Sequence, residues 1–145
     1  MIGSPHGTYA FGFVVVVMSG DTIISVTLDE FQFQADNGNF TGVPNSHSSA
    51  AKYFGKGYAA GQILVSKKAD SAGYSAVQKA KAGSTNSIAE NYAYIEDYAV
   101  GKTIAQLERT VSMDADAVVD AVTGATLVGT KGYLNMIITA AKAAK

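Results

Sequence analysis

Two apolar stretches meeting at Ser19-Gly20-Asp21 constrain this chain more than anything else in it, because they dictate a β-hairpin. Residues 9–18 are almost wholly apolar, with Val14, Val15, Val16 and Val17 in unbroken succession, and after the turn Ile24, Val26 and Leu28 alternate with Ser25, Thr27 and Asp29. β-Branched residues at a period of two are what a pleated strand requires, and a small-residue turn between two such runs joins them antiparallel. The continuous run predicts a first strand buried on both faces, and the alternation predicts a second strand with one wet face. Past Leu28 the phase changes, since Glu30 takes the next inward position while Phe31 and Phe33 sit on the other parity. This predicts a bulge near Asp29 and Glu30.

The run 9–18 has the length of a signal-peptide core, but no Lys or Arg precedes it and no small-residue cleavage site follows. A membrane span would take roughly twenty residues. The run is therefore read as a strand, residues 1–6 as a linker, and 7–145 as one domain with no membrane span. A chain of 145 residues is long enough for one core. Eleven basic and twelve acidic residues leave a net charge of −1, which gives no footprint for nucleic acid or anionic lipid. Cysteine is absent, so disulfides, iron–sulfur ligation and thiol chemistry are excluded, and any redox function must come from a bound cofactor.

Residues 35–57 are rich in Asn, Gly and Ser without a period and read as a long surface loop, in which Asn39-Phe40-Thr41 forms a glycosylation sequon. A short strand is predicted around Ile63, Leu64 and Val65. Asp70 or Ser71 then caps a helix running toward Lys81, with Tyr74 and Val77 inward, ended by Ala82-Gly83-Ser84. Ile88, Tyr92, Ile95 and Tyr98 keep helical spacing for a second helix closed before Gly101, and Thr103 with Gln106 makes a capping box for a third, holding Ile104 and Leu107. These elements predict an α+β fold, an antiparallel sheet flanked by helices in a single domain.

The chemistry concentrates in Asp120-Ala121-Val122-Thr123-Gly124-Ala125-Thr126. An amphipathic stretch follows, with Leu134, Ile137, Ile138 and Ala141 on one face and Lys131, Asn135 and Lys142 off it. A strand-to-helix junction is predicted here, with the helix beginning at or just after Thr126. Unpaired N–H groups and the helix dipole stabilise anions at such a start, and Gly124 and Ala125 allow a phosphate to approach the backbone. The alternative is a plain turn and N-cap, with Thr126 accepting from the N–H of Val128 or Gly129.

This segment resembles the flavin-attachment motif of the FMN-binding domain family, seen in the C subunit of the sodium-pumping NADH:quinone oxidoreductase, the G subunit of the Rnf complex and bacterial surface lipoproteins. The family pattern is Asp, two variable residues, Ser or Thr, Gly, Ala, then Thr or Ser, and Asp120, Thr123, Gly124, Ala125 and Thr126 fill every fixed position. Gly7-Thr8-Tyr9 is similar to the opening strand of many members. The chain departs from the pattern at Val128, where many members carry Thr or Ser, and it lacks the His-x-Glu-Thr element that many carry near residue 30. The resemblance implies FMN joined through its phosphate to Thr126 by a flavin transferase. It also implies an extracytoplasmic position, at the cell surface or secreted, and electron exchange with redox donors and acceptors. The absence of Cys agrees with a fragment lying downstream of a lipoprotein's anchoring Cys. The ring is expected to reach the sheet face fed by residues 9–17, and Tyr92, Tyr94 and Tyr98 are candidates to stack on it, against plain packing.

Other motifs give way on spacing. Gly101-Lys102-Thr103 imitates a phosphate-binding loop, but Glu96 stands where that loop needs Gly, so it reads as a helix start. Asp114, Asp116 and Asp120 do not fit a calcium loop, because Val118 and Val119 occupy a ligand and a glycine position, and they read as a solvated cap and the motif carboxylate. His6 and His47 fall in loops without partners for a metal. The functional reading is thus an electron carrier; the alternatives are a flavin-dependent reductase of a small acceptor and a flavin-free surface-binding domain.

Overall fold

In the computed structural model, which describes residues 1–5, 10–47, 60–82 and 85–145, the hairpin forms at the expected turn. Strand β2 (Ala10–Ser19) pairs antiparallel with β3 (Thr22–Ala35), Ser19 opposite Thr22. The two-stranded edge is extended on one side by β1 (Ile2–Gly3), Gly3 lying opposite Gly12, and on the other by β4 (Gln62–Ser66), giving the order β1-β2-β3-β4. Ile2 and Gly3 were placed by sequence in a linker; they are instead stitched to β2, and the Met1 ammonium donates to Val14 O at 2.7 Å. Gly7-Thr8-Tyr9, His6 and residues 48–59 lie outside the described residues, as do Gly83 and Ser84.

The bulge lies elsewhere than predicted. The register shifts where Val17 faces Ser25 and Met18 faces Ile23, so Ile24 is the extra residue, close to the turn. Beyond it the pairing runs unbroken through Leu28, Asp29 and Glu30. Val14, Val16, Met18, Ile23, Val26, Leu28, Glu30 and Gln32 therefore share one face, continued on β4 by Ile63 and Val65. Glu30 is not out of phase; it is a carboxylate in a core position.

Among the described residues five helices complete the α+β domain: α1 (Ser71–Ala82), α2 (Ile88–Ala99), α3 (Ile104–Val111), α4 (Ala115–Ala121) and α5 (Thr130–Ala143). Their apolar residues pack on the face bearing Val14, Ile23 and Leu28, where Tyr92, Ile95, Leu107, Leu134, Ile137 and Ala141 are fully buried. The opposite face of β2 is consequently open: Val15 is 52% and Val17 47% exposed, so the strand is not buried on both sides, despite its apolar run. Helix α5 presses on the sheet at Gly12, where a Cβ would come within 2.8 Å of Met136 Cε.

The caps of α3 and α4 follow the sequence, and that of α2 is added by the structure. Thr103 and Gln106 form the reciprocal box that starts α3, Ser87 and Glu90 do the same for α2, and Asp114 caps α4 through the N–H of Ala117. Hydrogen bonds to Ser87 hold the exposed Glu90 carboxyl below its usual range. Asp70 precedes α1 and accepts from Thr41 N at 2.9 Å, tying the loop after β3 to the helix.

Candidate functional site

The motif joins two helices rather than a strand and a helix. Asp120 is exposed in the last turn of α4, and the chain leaves the helix after Ala121. Gly124 then adopts φ +93°, a conformation that ends helical propagation and disfavours any side chain. Its Cα faces the ring of Tyr94, which a Cβ would meet at 2.7 Å. The glycine thus admits a tyrosine ring from α2. Thr123 is exposed and Ala125 buried.

Thr126 lies four residues before α5, which starts at Thr130 with Gly129 at its N-cap and no side-chain cap bond. The helix start is therefore later than predicted, and neither Val128 nor Gly129 donates to Thr126. The reason is Asn91. This residue is fully buried on α2, and its Oδ1 accepts from Thr126 N at 2.7 Å and from Thr126 Oγ1 at 3.2 Å, while its Nδ2 donates to Ser87 O at 2.9 Å. Asn86 adds a second tether, donating to Gly124 O at 2.6 Å. The motif loop is pinned to the start of α2, and Thr126 is an exposed residue beside it.

Next to that residue opens a cleft of about 370 Å³. Thr126, Leu127, Val128 and Gly129 form one wall, Tyr74 and Gln78 of α1 with Ile88 of α2 the other, and Gln32, Lys67 and Tyr133 the base. Val128, the position departing from the family pattern, projects into solvent at 83% exposure. The backbone N–H groups of Leu127, Val128 and Gly129 donate to none of the described residues. Water or an anion must serve them.

A charged network underlies the base. Lys67 Nζ sits 2.7 Å from Glu30 Oε2, both side chains being almost wholly buried, and the Tyr133 hydroxyl donates to the same carboxylate oxygen. Because the Tyr133 proton is committed to Glu30, the Tyr92 hydroxyl donates to Tyr133 Oη across 3.0 Å. The two rings meet edge to face at 5.0 Å between centroids. Burial pushes both tyrosine hydroxyls far above their usual range, and the Glu30 charge pushes the same way. Lys67 Nζ also lies 4.8 Å from the ring centroid of Tyr74, whose hydroxyl donates to Gln32 Oε1 at 3.2 Å. Beside this network Asp29 accepts from Ser66 Oγ and from Lys68 N, fixing the crossing from β4 into α1.

The tyrosine stripe of α2 serves packing. Tyr92 is in the core, Tyr98 bonds Thr110 Oγ1 at 2.8 Å beneath the Lys102 ammonium, and Tyr94 lies on Gly124. None of them lines the cleft, whose aromatic surface comes from Tyr74 and Tyr133. The cleft also opens over Gln32 rather than over residues 10–17. Asn91, Lys67 and Tyr133 carry no motif signal; Asn91 alone is conspicuous in sequence, as an amide on the Ile88–Tyr92–Ile95 stripe. Against known proteins, no family model matches the chain, and no curated protein or solved structure matches it either.

Proposed function

We propose that this chain is an extracytoplasmic electron-transfer domain carrying FMN joined by a phosphoester bond to Thr126. The observation that carries this reading is the exposed residue Thr126, the last position of the Asp120–Thr126 motif, standing on the wall of the cleft. The surroundings fit the group. A volume of about 370 Å³ is within the range of roughly 300–1,000 Å³ common for small-molecule sites. The N–H groups of residues 127–129, which donate to none of the described residues, are donors for a phosphate esterified next to them. Tyr74 and Ile88 on one wall and Leu127 on the other offer apolar surface, and Gln32, Gln78 and Lys67 offer donors to a heteroaromatic edge.

The flavin, when bound, supplies reversible electron transfer, and the protein supplies position and electrostatics. Asn91 holds Thr126 through two hydrogen bonds before modification; esterification removes the hydroxyl proton, and the bond from the Thr126 N–H to Asn91 Oδ1 then keeps the residue at one edge of the cleft. Gly124 and Tyr94 shape the approach to it. Asp120, exposed on α4, is available to the modifying transferase, either to keep the loop open or to position the magnesium that such enzymes use. The open side of the cleft leaves the ring accessible to donor and acceptor, as a carrier requires. Co-expression with a flavin transferase, followed by intact mass, tests the reading: a gain of one FMN less one water is expected, and an unmodified mass overturns it.

A further inference from the structure

Two amides and one ammonium at the cleft have donors that none of the described residues accepts. Lys67 donates to Glu30 and lies over the Tyr74 ring, and no other described residue accepts from its ammonium; the Nε2 hydrogens of Gln32 and Gln78 likewise meet no described acceptor. An ammonium taken out of water needs its donors compensated, and one bond to Glu30 with the Tyr74 ring 4.8 Å away leaves this side chain, just 3% exposed, with donor capacity for an acceptor in the cleft. Glu30, gripped also by Tyr133, fixes where that ammonium sits. A buried pair of this kind is weak evidence for stability, since apolar residues of equal volume serve as well or better. Its placement at the base of a cleft gives it another use.

We propose that Lys67 is a ligand-contacting cation that hydrogen-bonds the polar, carbonyl-bearing edge of the flavin and favours its reduced, more electron-rich form. This rests on the FMN reading above. Positive charge at that edge stabilises electron density gained on reduction more than it stabilises the oxidised ring, and low dielectric enlarges the difference. Glu30 and Tyr133 are positioning residues in this scheme: they hold Lys67 and do not meet the ring.

The test compares wild-type protein with Glu30→Gln/Lys67→Met, which removes both charges together so that neither is left buried alone, folding being checked by circular dichroism. In flavinylated protein the midpoint potential should fall by about 30 mV or more in the double variant, the equivalent of a tenfold weaker preference for the reduced two-electron form. In Thr126→Ala protein, which takes no covalent flavin, added riboflavin should quench less at equal concentration once Lys67 is replaced. A folded, flavinylated double variant with an unchanged or higher potential overturns the role of Lys67 while leaving the FMN reading intact. Wild-type protein that acquires no flavin from the transferase overturns both.

Discussion

Asn91 and Thr126, 35 residues apart, are joined by two hydrogen bonds to a single amide oxygen. A buried side chain on α2 thereby sets the position of an exposed residue on a loop, and the loop needs no cap from α5 to be held. Replacing Asn91 by Ala should cost about 1–3 kcal/mol, the range for stranding buried polar partners, and should slow attachment at Thr126. Denaturant melts and the fraction of protein modified at fixed time measure the two effects. Slower attachment in a variant of undiminished stability would locate the role of Asn91 in presentation alone.

Thr126→Ala should abolish the FMN adduct, and Thr126→Ser should retain it. The neighbouring hydroxyls are poor substitutes: Thr130 is fully buried and donates to Leu127 O at 2.6 Å, and Thr123 is on the far side of the Gly124 turn. Peptide mapping that finds the adduct on Thr123 or Thr130 would sink the assignment.

Asp120→Ala should change stability by under about 0.5 kcal/mol, as expected of an exposed charge, while lowering the rate of modification. A wild-type rate in a time course with the transferase would leave the carboxylate without a role.

Gly124→Ala should destabilise by about 1–2 kcal/mol from the left-handed backbone alone, and by more from the clash with Tyr94. Adding Tyr94→Ala should relieve the second part and not the first. A double-mutant cycle in urea separates them, and strict additivity would show that the ring does not press on the turn.

Tyr92 and Tyr133 give the stability a defined alkaline limit. Their folded values are raised, chiefly by burial, above the ordinary 10.0, so the stability they contribute is complete below that pH and is lost as pH rises beyond it. Melting temperature should therefore fall above about pH 10, where unfolded tyrosine ionises. Tyr92→Phe, which keeps the ring and removes one proton, should make that decline shallower.

The hairpin turn, the apolar faces of α2 and α5 and the Thr103–Gln106 capping box were legible in sequence, because each depends on residues within a turn or two of one another. The site was less so. Glu30 reads as a break in the alternation of β3 since local pattern cannot show that Lys67 and Tyr133, distant in the chain, neutralise and hydrogen-bond it. The start of α5 was misplaced for a similar reason: Thr126 has the chemistry of a cap, but Asn91 claims its N–H and hydroxyl. Val15 and Val17 read as buried because apolar runs mark two-sided strands, whereas here the described helices all pack on the other face.

The reach from Tyr133 back to Glu30 spans 103 residues and orders events during synthesis. The hairpin strands emerge together and can pair at once, their closing loop being short. Glu30 and Lys67 then wait, lacking the third member of their network, until α5 has left the ribosome and docked. The motif loop lies immediately before α5 and is shaped only by that docking on one side and by α2 on the other. A nascent chain stalled before residue 130 would hence display the Asp120–Thr126 sequence without its architecture, so a transferase that reads shape would act only after α5 has docked.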